Sequence, residues 1–378
     1  MLHKDVISIG VLIDFKEEQI FKNIVKDVID KLKIDLIKDF NEFNWQFNLV
    51  ERKDFIREVP VDPLELLDYG SSLKLEYNFD FVLVLTSLPL KPRFNQYVNA
   101  VPSNMLETAV ISFSRLIENR NEFSNKSLIA LLKHNLGHLW GLEHSDDSVM
   151  KPRNVWTDDV VVEWNKEEIE HIKSYLKKIA DPRLEETTSF KLNKFFFYIK
   201  FLKQEGIGIL RDIITFRSWL TILHLSKFIT TIVMSTIFLF LTAEFWELGA
   251  ALEDRWIYGL VIFVLLGVTF SLYFGHNLDK IARSDKLKEQ AVRSKIVIIG
   301  ILFIGILALW IFLFIISSGI IYLLPENVLL NWSGLKTHLP IFHFAVIISN
   351  FGIMMSAFGG NLEEEDDLKA ILFYTEET

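Results

Sequence analysis

The sequence contains no cysteine among its 378 residues. The chain therefore forms no disulfide bonds, which suits a cytosolic location without establishing one. The N-terminus also lacks an uninterrupted apolar run, because Lys4 and Asp5 lie inside the only candidate. We therefore expect no signal peptide before the first domain.

Basic residues are outnumbered by acidic residues in the first half of the chain. Residues 1–185 contain 24 Lys and Arg against 31 Asp and Glu, a net charge of about −7. Proteins that bind nucleic acids usually present an excess of basic side chains to the phosphates, so we expect no nucleic acid partner. Residues 361–378 contain seven acidic residues and one Lys, and we expect a solvated, cytoplasmic tail there.

Charged residues are also missing from the centres of four long apolar segments in the second half. At about 1.5 Å per residue, each segment is long enough to cross a hydrocarbon core of about 30 Å. The segments cover residues 228–246, 256–275, 296–324 and 339–358. They predict an all-α membrane domain with four transmembrane helices over residues 228–360, and hence a multi-pass protein with the lipid bilayer as a partner.

The polar residues of these segments favour an anchor over a transport path. His343 and Asn350 are the chief polar residues well inside a segment, whereas transporters usually need Asp, Glu, Lys or Arg there. We therefore expect a module for anchoring or for oligomerisation through the membrane helices, with His343 near the outer interface. A membrane sensor or transport subunit is a third hypothesis for the whole chain.

Loop charges predict the orientation in the membrane. Residues 186–227 and 276–295 carry seven and six Lys and Arg, whereas the other two connecting loops carry one each. By the positive-inside rule these basic stretches face the cytoplasm, together with the N-terminal domain and the tail. The first stretch also contains several Phe residues, and two interpretations stay open: a linker lying against an anionic leaflet, or a basic stop before the first span.

The segment His134–His144, with the sequence HNLGHLWGLEH, carries the clearest chemical signal. His134 and His138 stand four residues apart, so both imidazoles project from one face of a helix and can reach one metal ion. Gly141 can adopt a positive φ angle that ends the helix and lets His144 supply a third nitrogen. Three His ligands predict Zn2+ with an open fourth position, as in catalytic zinc sites.

Residues 128–152 resemble the active-site helix and Met-turn of the metzincin clan of zinc metalloproteases, whose motif is H-E-x-x-H-x-x-G-x-x-H. The residues after the third histidine are similar to matrixin-type domains, and Met150 matches the Met-turn methionine beneath the metal. The resemblance implies an α/β metzincin-like domain over residues 1–185, with an order of elements similar to archaemetzincins. Archaemetzincins carry extra cysteines after the third histidine, so this chain has no second zinc site of that kind.

Apolar patterns upstream of the motif also predict a small α/β domain. The predicted strands are residues 6–13, 45–50, 79–85, 97–101 and 108–113, and the predicted helices are residues 16–39, a short helix from Pro63, the motif helix and residues 165–179.

Asn135 stands where the metzincin motif has its glutamate general base. An amide can hydrogen-bond a water molecule but cannot accept its proton. Two hypotheses follow. The chain is either a membrane-anchored zinc metallopeptidase with weak or lost activity, or a pseudoprotease in which zinc stabilises a domain that binds a peptide or protein without cutting it.

Overall fold

The computed structural model describes residues 5–14, 19–51, 58–114, 125–152, 161–180, 194–215, 225–280, 289–336, 339–360, 365–373 and 375–377. Predictions for residues 186–193, 216–224 and 361–364 lie outside this part of the chain. The chain divides into two compact units. The first unit comprises residues 1–197, 282–294 and 373–378, and the second comprises residues 198–281 and 295–372.

The first unit contains a sheet that is five-stranded within the described residues. Its strands are β1 (Asp5–Asp14), β2 (Phe43–Glu51), β3 (Phe81–Thr86), β4 (Ala100–Ser103) and β5 (Thr108–Ser112). Their order is β2-β1-β3-β5-β4, with β4 antiparallel to β5 and the other pairs parallel. Every residue of β3 is buried, as expected for a central parallel strand with both faces covered. β4 lies at one edge of the sheet.

The helices of this unit are α1 (Gln19–Asp39), α2 (Pro63–Tyr77), α3 (Asn125–Leu139) and α4 (Lys166–Ala180). α2 begins as the sequence predicts, because the Asp62 carboxylate accepts a hydrogen bond from the Leu64 N–H at 2.9 Å and Pro63 needs no partner at the first helical position. It continues for 15 residues and is not the short helix expected. The predicted α/β class is confirmed.

An aromatic cluster fills the core beneath the end of α3. Phe40, Trp45, Trp140 and Trp164 are each at most 4% exposed. Their ring centroids lie between 5.5 and 6.2 Å apart in tilted and edge-on pairs. Because Trp140 directly follows α3, this packing fixes where the helix ends.

The remainder of the described chain is helical. Its elements are α5 (Lys194–Thr215), α6 (Ser226–Leu241), α7 (Ala243–Ala251), α8 (Asp254–Gly275), α9 (Glu289–Leu323), α10 (Glu326–Ser333), α11 (Ile341–Gly360) and α12 (Glu365–Phe373). Three helices, α8, α9 and α11, are long and apolar enough to cross a membrane. The number rises to four if α6 and α7 together count as one crossing.

The first predicted span, residues 228–246, is not one continuous helix. It breaks at Thr242, whose backbone is extended, and α7 leaves α6 at an angle of 78°. The Thr242 hydroxyl donates to the Phe238 carbonyl at 2.8 Å, a local bond that competes with regular helix geometry. Glu244 then lies in the first turn of α7, where the helix dipole favours an acidic side chain.

The polar residues singled out in the apolar segments have partners. The Trp310 indole N–H donates to the Asn350 side-chain oxygen at 2.8 Å. His343 lies 2.8 Å from Asp254, which is in the first turn of α8. Asn350 therefore joins two helices, α9 and α11, and His343 joins α11 to an end of α8.

Candidate metal centre

α3 ends in a Schellman motif that brings the third histidine back toward the helix. Gly141 has φ +82°, and the N–H groups of Leu142 and Gly141 donate to the carbonyls of Gly137 and His138 at 2.9 and 3.1 Å. The Asn104 side-chain amide, from the turn between β4 and β5, donates to the carbonyls of His138 and Leu139. These bonds satisfy carbonyls that a helix end otherwise leaves without partners.

Two backbone carbonyls, those of Val149 and Leu142, orient the two helical imidazoles. His134 Nδ1 lies 2.8 Å from the Val149 carbonyl, and His138 Nδ1 lies 3.0 Å from the Leu142 carbonyl. A carbonyl oxygen can only accept a hydrogen bond, so each Nδ1 carries a hydrogen, and a ring that holds one hydrogen has its lone pair on Nε2. The two Nε2 atoms are only 3.0 Å apart, and their lone pairs repel unless a cation lies between them.

His144 and Glu377 complete the cluster. One Glu377 carboxylate oxygen lies 3.2 Å from His144 Nε2 and 3.6 Å from His134 Nε2, and the other lies 3.4 Å from His138 Nε2. Zinc bonds of about 2.0–2.1 Å in a tetrahedron require ligand atoms about 3.3 Å apart. The prediction of an open fourth position is therefore wrong for this structure, because the Glu377 carboxylate lies where a fourth ligand would be.

The charges of the cluster suit a dication. Burial and the neighbouring His134 lower the pKa of His138 to about 4, so this ring is neutral at pH 7 and available as a ligand. Burial alone would raise the pKa of Glu377, but the neighbouring imidazoles of His134, His144 and His138 outweigh burial and bring this pKa to about 2. The hydrogen bond to Glu377 in turn raises the pKa of His144, so metal binding there would release a proton.

The donor set fits Zn2+. Three imidazole nitrogens and one carboxylate oxygen are ligands that zinc takes in four-coordinate sites. Glu377 Oε1 is buried and has no hydrogen-bond partner within the described residues, so a cation would satisfy it. The cluster of His134, His138, His144 and Glu377 is therefore the candidate site for Zn2+.

Met150 packs beneath the helix that carries the first two histidines. It is fully buried, and a Cβ added to Gly137 would lie only 2.3 Å from its sulfur. The Ser148 hydroxyl accepts from the Met150 N–H and donates to Glu168 at 2.7 Å. Glu168 and Asn165 form a reciprocal capping box at the start of α4. The turn that contains Met150 is thus fastened to a second helix.

This contact gives a prediction for Gly137→Ala. The added methyl group overpacks a buried contact, and we expect a loss of about 1–3 kcal/mol in the stability of the α/β unit. Thermal unfolding of the zinc-loaded chain, followed by zinc release, measures the effect. Gly206→Ala is the control, because, apart from its chain neighbours and its own helix backbone, no atom of the described residues lies within 4 Å of its added Cβ. Equal midpoints for the two variants would contradict the packing argument.

Asn135 is also fully buried, but it points along the helix. Its side-chain N–H donates to the Leu131 carbonyl at 2.9 Å, and its oxygen has no hydrogen-bond partner within the described residues. Glu143, the other polar neighbour in the motif, is exposed. Glu143 is not a member of the cluster of metal-binding groups in the described residues.

Glu377 is a member of the cluster that the sequence did not predict. This residue is 233 positions from His144 and lies in a segment predicted to be a solvated tail. Both Glu376 and Glu377 are less than 10% exposed, which corrects that prediction for the end of the tail. An isolated Glu-Glu pair has no spacing relative to the histidine motif, so no sequence signal connects the two.

Comparisons with known proteins give partial similarities. No protein-family model matches the chain. A curated relative, the endoribonuclease YbeY of Finegoldia magna, is 27% identical over 165 residues, which cover 43% of this chain and 87% of the relative.

Three solved structures are similar to part of the chain. An archaemetzincin from Methanopyrus kandleri is 20% identical with a TM-score of 0.36, covering 46% of this chain and 98% of that one. A zinc-dependent peptidase from Methanocorpusculum labreanum is 18% identical with a TM-score of 0.36, covering 43% and 99%. An archaemetzincin from Archaeoglobus fulgidus is 17% identical with a TM-score of 0.30, covering 44% and 99%. Values this low identify no activity.

Proposed function

We propose that the chain is a membrane-anchored, metzincin-type zinc metallopeptidase-like protein that binds an extended peptide at its three-histidine site and cleaves it slowly or not at all. The observation that carries this proposal is that the Nε2 atoms of His134 and His138 lie 3.0 Å apart and converge with a carboxylate oxygen of Glu377. The residues that end α3 hold this arrangement without the help of any disulfide.

The chain's own residues supply binding and orientation. The carbonyls of Val149 and Leu142 keep the hydrogen on Nδ1 of the two helical rings, so their Nε2 atoms stay available. When bound, Zn2+ supplies a Lewis acid that polarises a carbonyl oxygen. The Asn135 amide cannot accept a proton from water, and a positioned general base is typically worth 10² to 10⁴-fold in rate. Slow or absent cleavage follows.

The pseudoprotease is the alternative within the same site. Asn135 favours it, because an amide at the base position leaves binding intact while removing proton transfer. The two possibilities differ only in whether a residual rate exists. Asn135→Glu is the substitution that separates them.

A nuclease is the second candidate, favoured by the 27% identity to a protein named an endoribonuclease. The acidic balance of residues 1–185, with 31 acidic against 24 basic residues, opposes it because RNA phosphates require positive charge. Incubating the zinc-loaded full chain with a peptide mixture and with single-stranded RNA separates the two. RNA cleavage that His138→Ala abolishes would replace the peptidase proposal, whereas we expect intact RNA.

Large apolar side chains on the long helices support the membrane anchor. Met234, Phe263, Ile315 and Leu323 are all more than 60% exposed, and lipid is the environment that would cover such side chains. They lie on α6, α8 and α9.

The segments that make up the first unit favour four membrane crossings over three. Residues 291–294, at the start of α9, and residues 375–377 both belong to the unit that contains the α/β domain. If α6 and α7 count together as one crossing, two crossings precede residue 291 and four precede residue 375, so the whole unit lies on one side. With three crossings, both segments would lie on the opposite side from the domain.

The absence of cysteine makes this topology directly testable. Lys336 and Glu170 both have exposed side chains, so each can carry a single labelling site. We expect Lys336→Cys to react with a membrane-impermeant maleimide in intact cells, and Glu170→Cys to react only after lysis. Labelling of both in intact cells, or protection of Lys336→Cys, would overturn the predicted orientation.

A further inference from the structure

Residues 375–377 are extended and pair with the outer edge of β4 through one antiparallel bridge, between Glu377 and Ala100. The Glu377 N–H donates to the Ala100 carbonyl at 2.8 Å, and the Glu377 carbonyl accepts from the N–H groups of Asn99 and Ala100 at 2.8 and 3.2 Å. The Thr375 N–H donates to the Pro102 carbonyl at 3.4 Å. The pairing is antiparallel. This is the way an extended peptide is bound at a sheet edge.

The two consecutive glutamates of this segment enter different sites. Neighbouring side chains of an extended segment point in opposite directions. Glu377 points to the three imidazoles. Glu376 is bound by three successive backbone N–H groups, those of Arg93, Phe94 and Asn95, at 2.5, 3.0 and 2.8 Å.

The site of Glu376 recognises both side chain and backbone. Converging backbone N–H groups bind an anion with fixed partial charges. In addition, the Asn95 side-chain amide donates to the Glu376 carbonyl at 3.3 Å. Glu376 is 8% exposed, so these N–H donors replace almost all the water around its carboxylate. A neutral side chain in this position would form weaker hydrogen bonds to the same N–H groups.

We propose that the edge of β4 binds an extended peptide with two consecutive carboxylate side chains, and that residues 375–377 are its resident occupant and close the metal site. The backbone N–H groups of residues 93–95 bind the first carboxylate, and the metal binds the second. This inference rests on the proposed zinc site but not on peptide cleavage. A tethered occupant competes at an effective concentration of about millimolar, so a free peptide must displace it.

The test uses the zinc-loaded full chain in detergent and a fluorescein-labelled peptide with the sequence YTEET, that of residues 374–378. Fluorescence anisotropy measures its affinity for the wild type, for the double variant Glu376→Gln/Glu377→Gln and for Thr375→Ala. We expect the double variant to bind at least ~10-fold more tightly than the wild type, because its own tail no longer competes. Thr375→Ala should match the wild type, because the Thr375 side chain is exposed.

A second peptide, YTQQT, tests the carboxylates, and we expect it to bind the double variant at least ~10-fold more weakly than YTEET. Cobalt in place of zinc provides an optical signal: Glu377→Gln should change the visible absorption bands, and Thr375→Ala should not.

Equal affinity of YTEET for the wild type and the double variant would refute the claim that residues 375–377 occupy the binding site. Equal or undetectable binding of YTEET and YTQQT would refute the claim that the site requires the two carboxylates. Zinc analysis separates these results from failure of the proposed function. One zinc per chain with unchanged peptide affinity refutes this inference alone, whereas absence of zinc from every variant refutes both.

Discussion

The 378-residue chain with His138→Ala is expected to bind zinc at least ~100-fold more weakly than the wild type. His138 is one of three imidazoles whose Nε2 atoms converge, and its removal leaves too few ligands to close the coordination sphere. Mutation of a residue that hydrogen-bonds a zinc ligand typically lowers metal affinity by about 10 to 100-fold. Loss of the ligand itself should lower zinc affinity at least as much. Elemental analysis after dialysis against a chelator measures the retained zinc.

His171→Ala is the matched control. His171 lies in the same domain, on α4, and is exposed, and it is outside the cluster of metal-binding groups. This variant should keep one zinc per chain. Stoichiometric zinc in His138→Ala, or equal loss in both variants, would contradict the assignment of the ligands.

Asn135→Glu is expected to raise the rate of peptide cleavage by about 10² to 10⁴-fold, the usual worth of a positioned general base. The gain should appear in kcat more than in KM, because the new carboxylate acts in the transition state. The substitution is best made together with Glu377→Gln, so that the proposed tail contact does not close the site. New peptide termini, counted by mass spectrometry, give the rate.

Asn135→Gln in the same background is the control, since glutamine has the length of glutamate but cannot accept the proton. It should show no gain. Robust cleavage by the wild type that neither substitution changes would mean that another residue is the base. An equal lack of activity in all variants would favour the binding-only alternative. Loss of wild-type cleavage in Glu377→Gln alone would show that the tail carboxylate is itself the base.

The local structure of the motif helix follows from the sequence because its causes are local. The four-residue spacing of His134 and His138 places them on one helical face, and Gly141 adopts the positive φ that its position in the motif indicates. The α/β class likewise follows from alternating apolar segments, each of which encodes its own burial. These features require no knowledge of residues far away in the chain.

The features that the sequence did not predict depend on contacts between distant residues. Glu377 reaches the histidines because residues 375–377 pair with β4, and no local pattern encodes which segment covers an exposed sheet edge. The break at Thr242 lies within an apolar run that satisfies every length criterion for a span. Hydropathy measures apolar content, and it does not register a single extended residue within a helix.

X-ray absorption at the zinc edge of the purified full-length protein tests the central claim most directly. The account predicts four nitrogen and oxygen neighbours at about 2.0–2.1 Å, with the outer-shell scattering of three imidazole rings. The spectrum of His138→Ala, if any zinc remains, should lose one ring. A sphere of six oxygen atoms, or scattering from fewer than three imidazoles in the wild type, would contradict a zinc centre built from His134, His138 and His144.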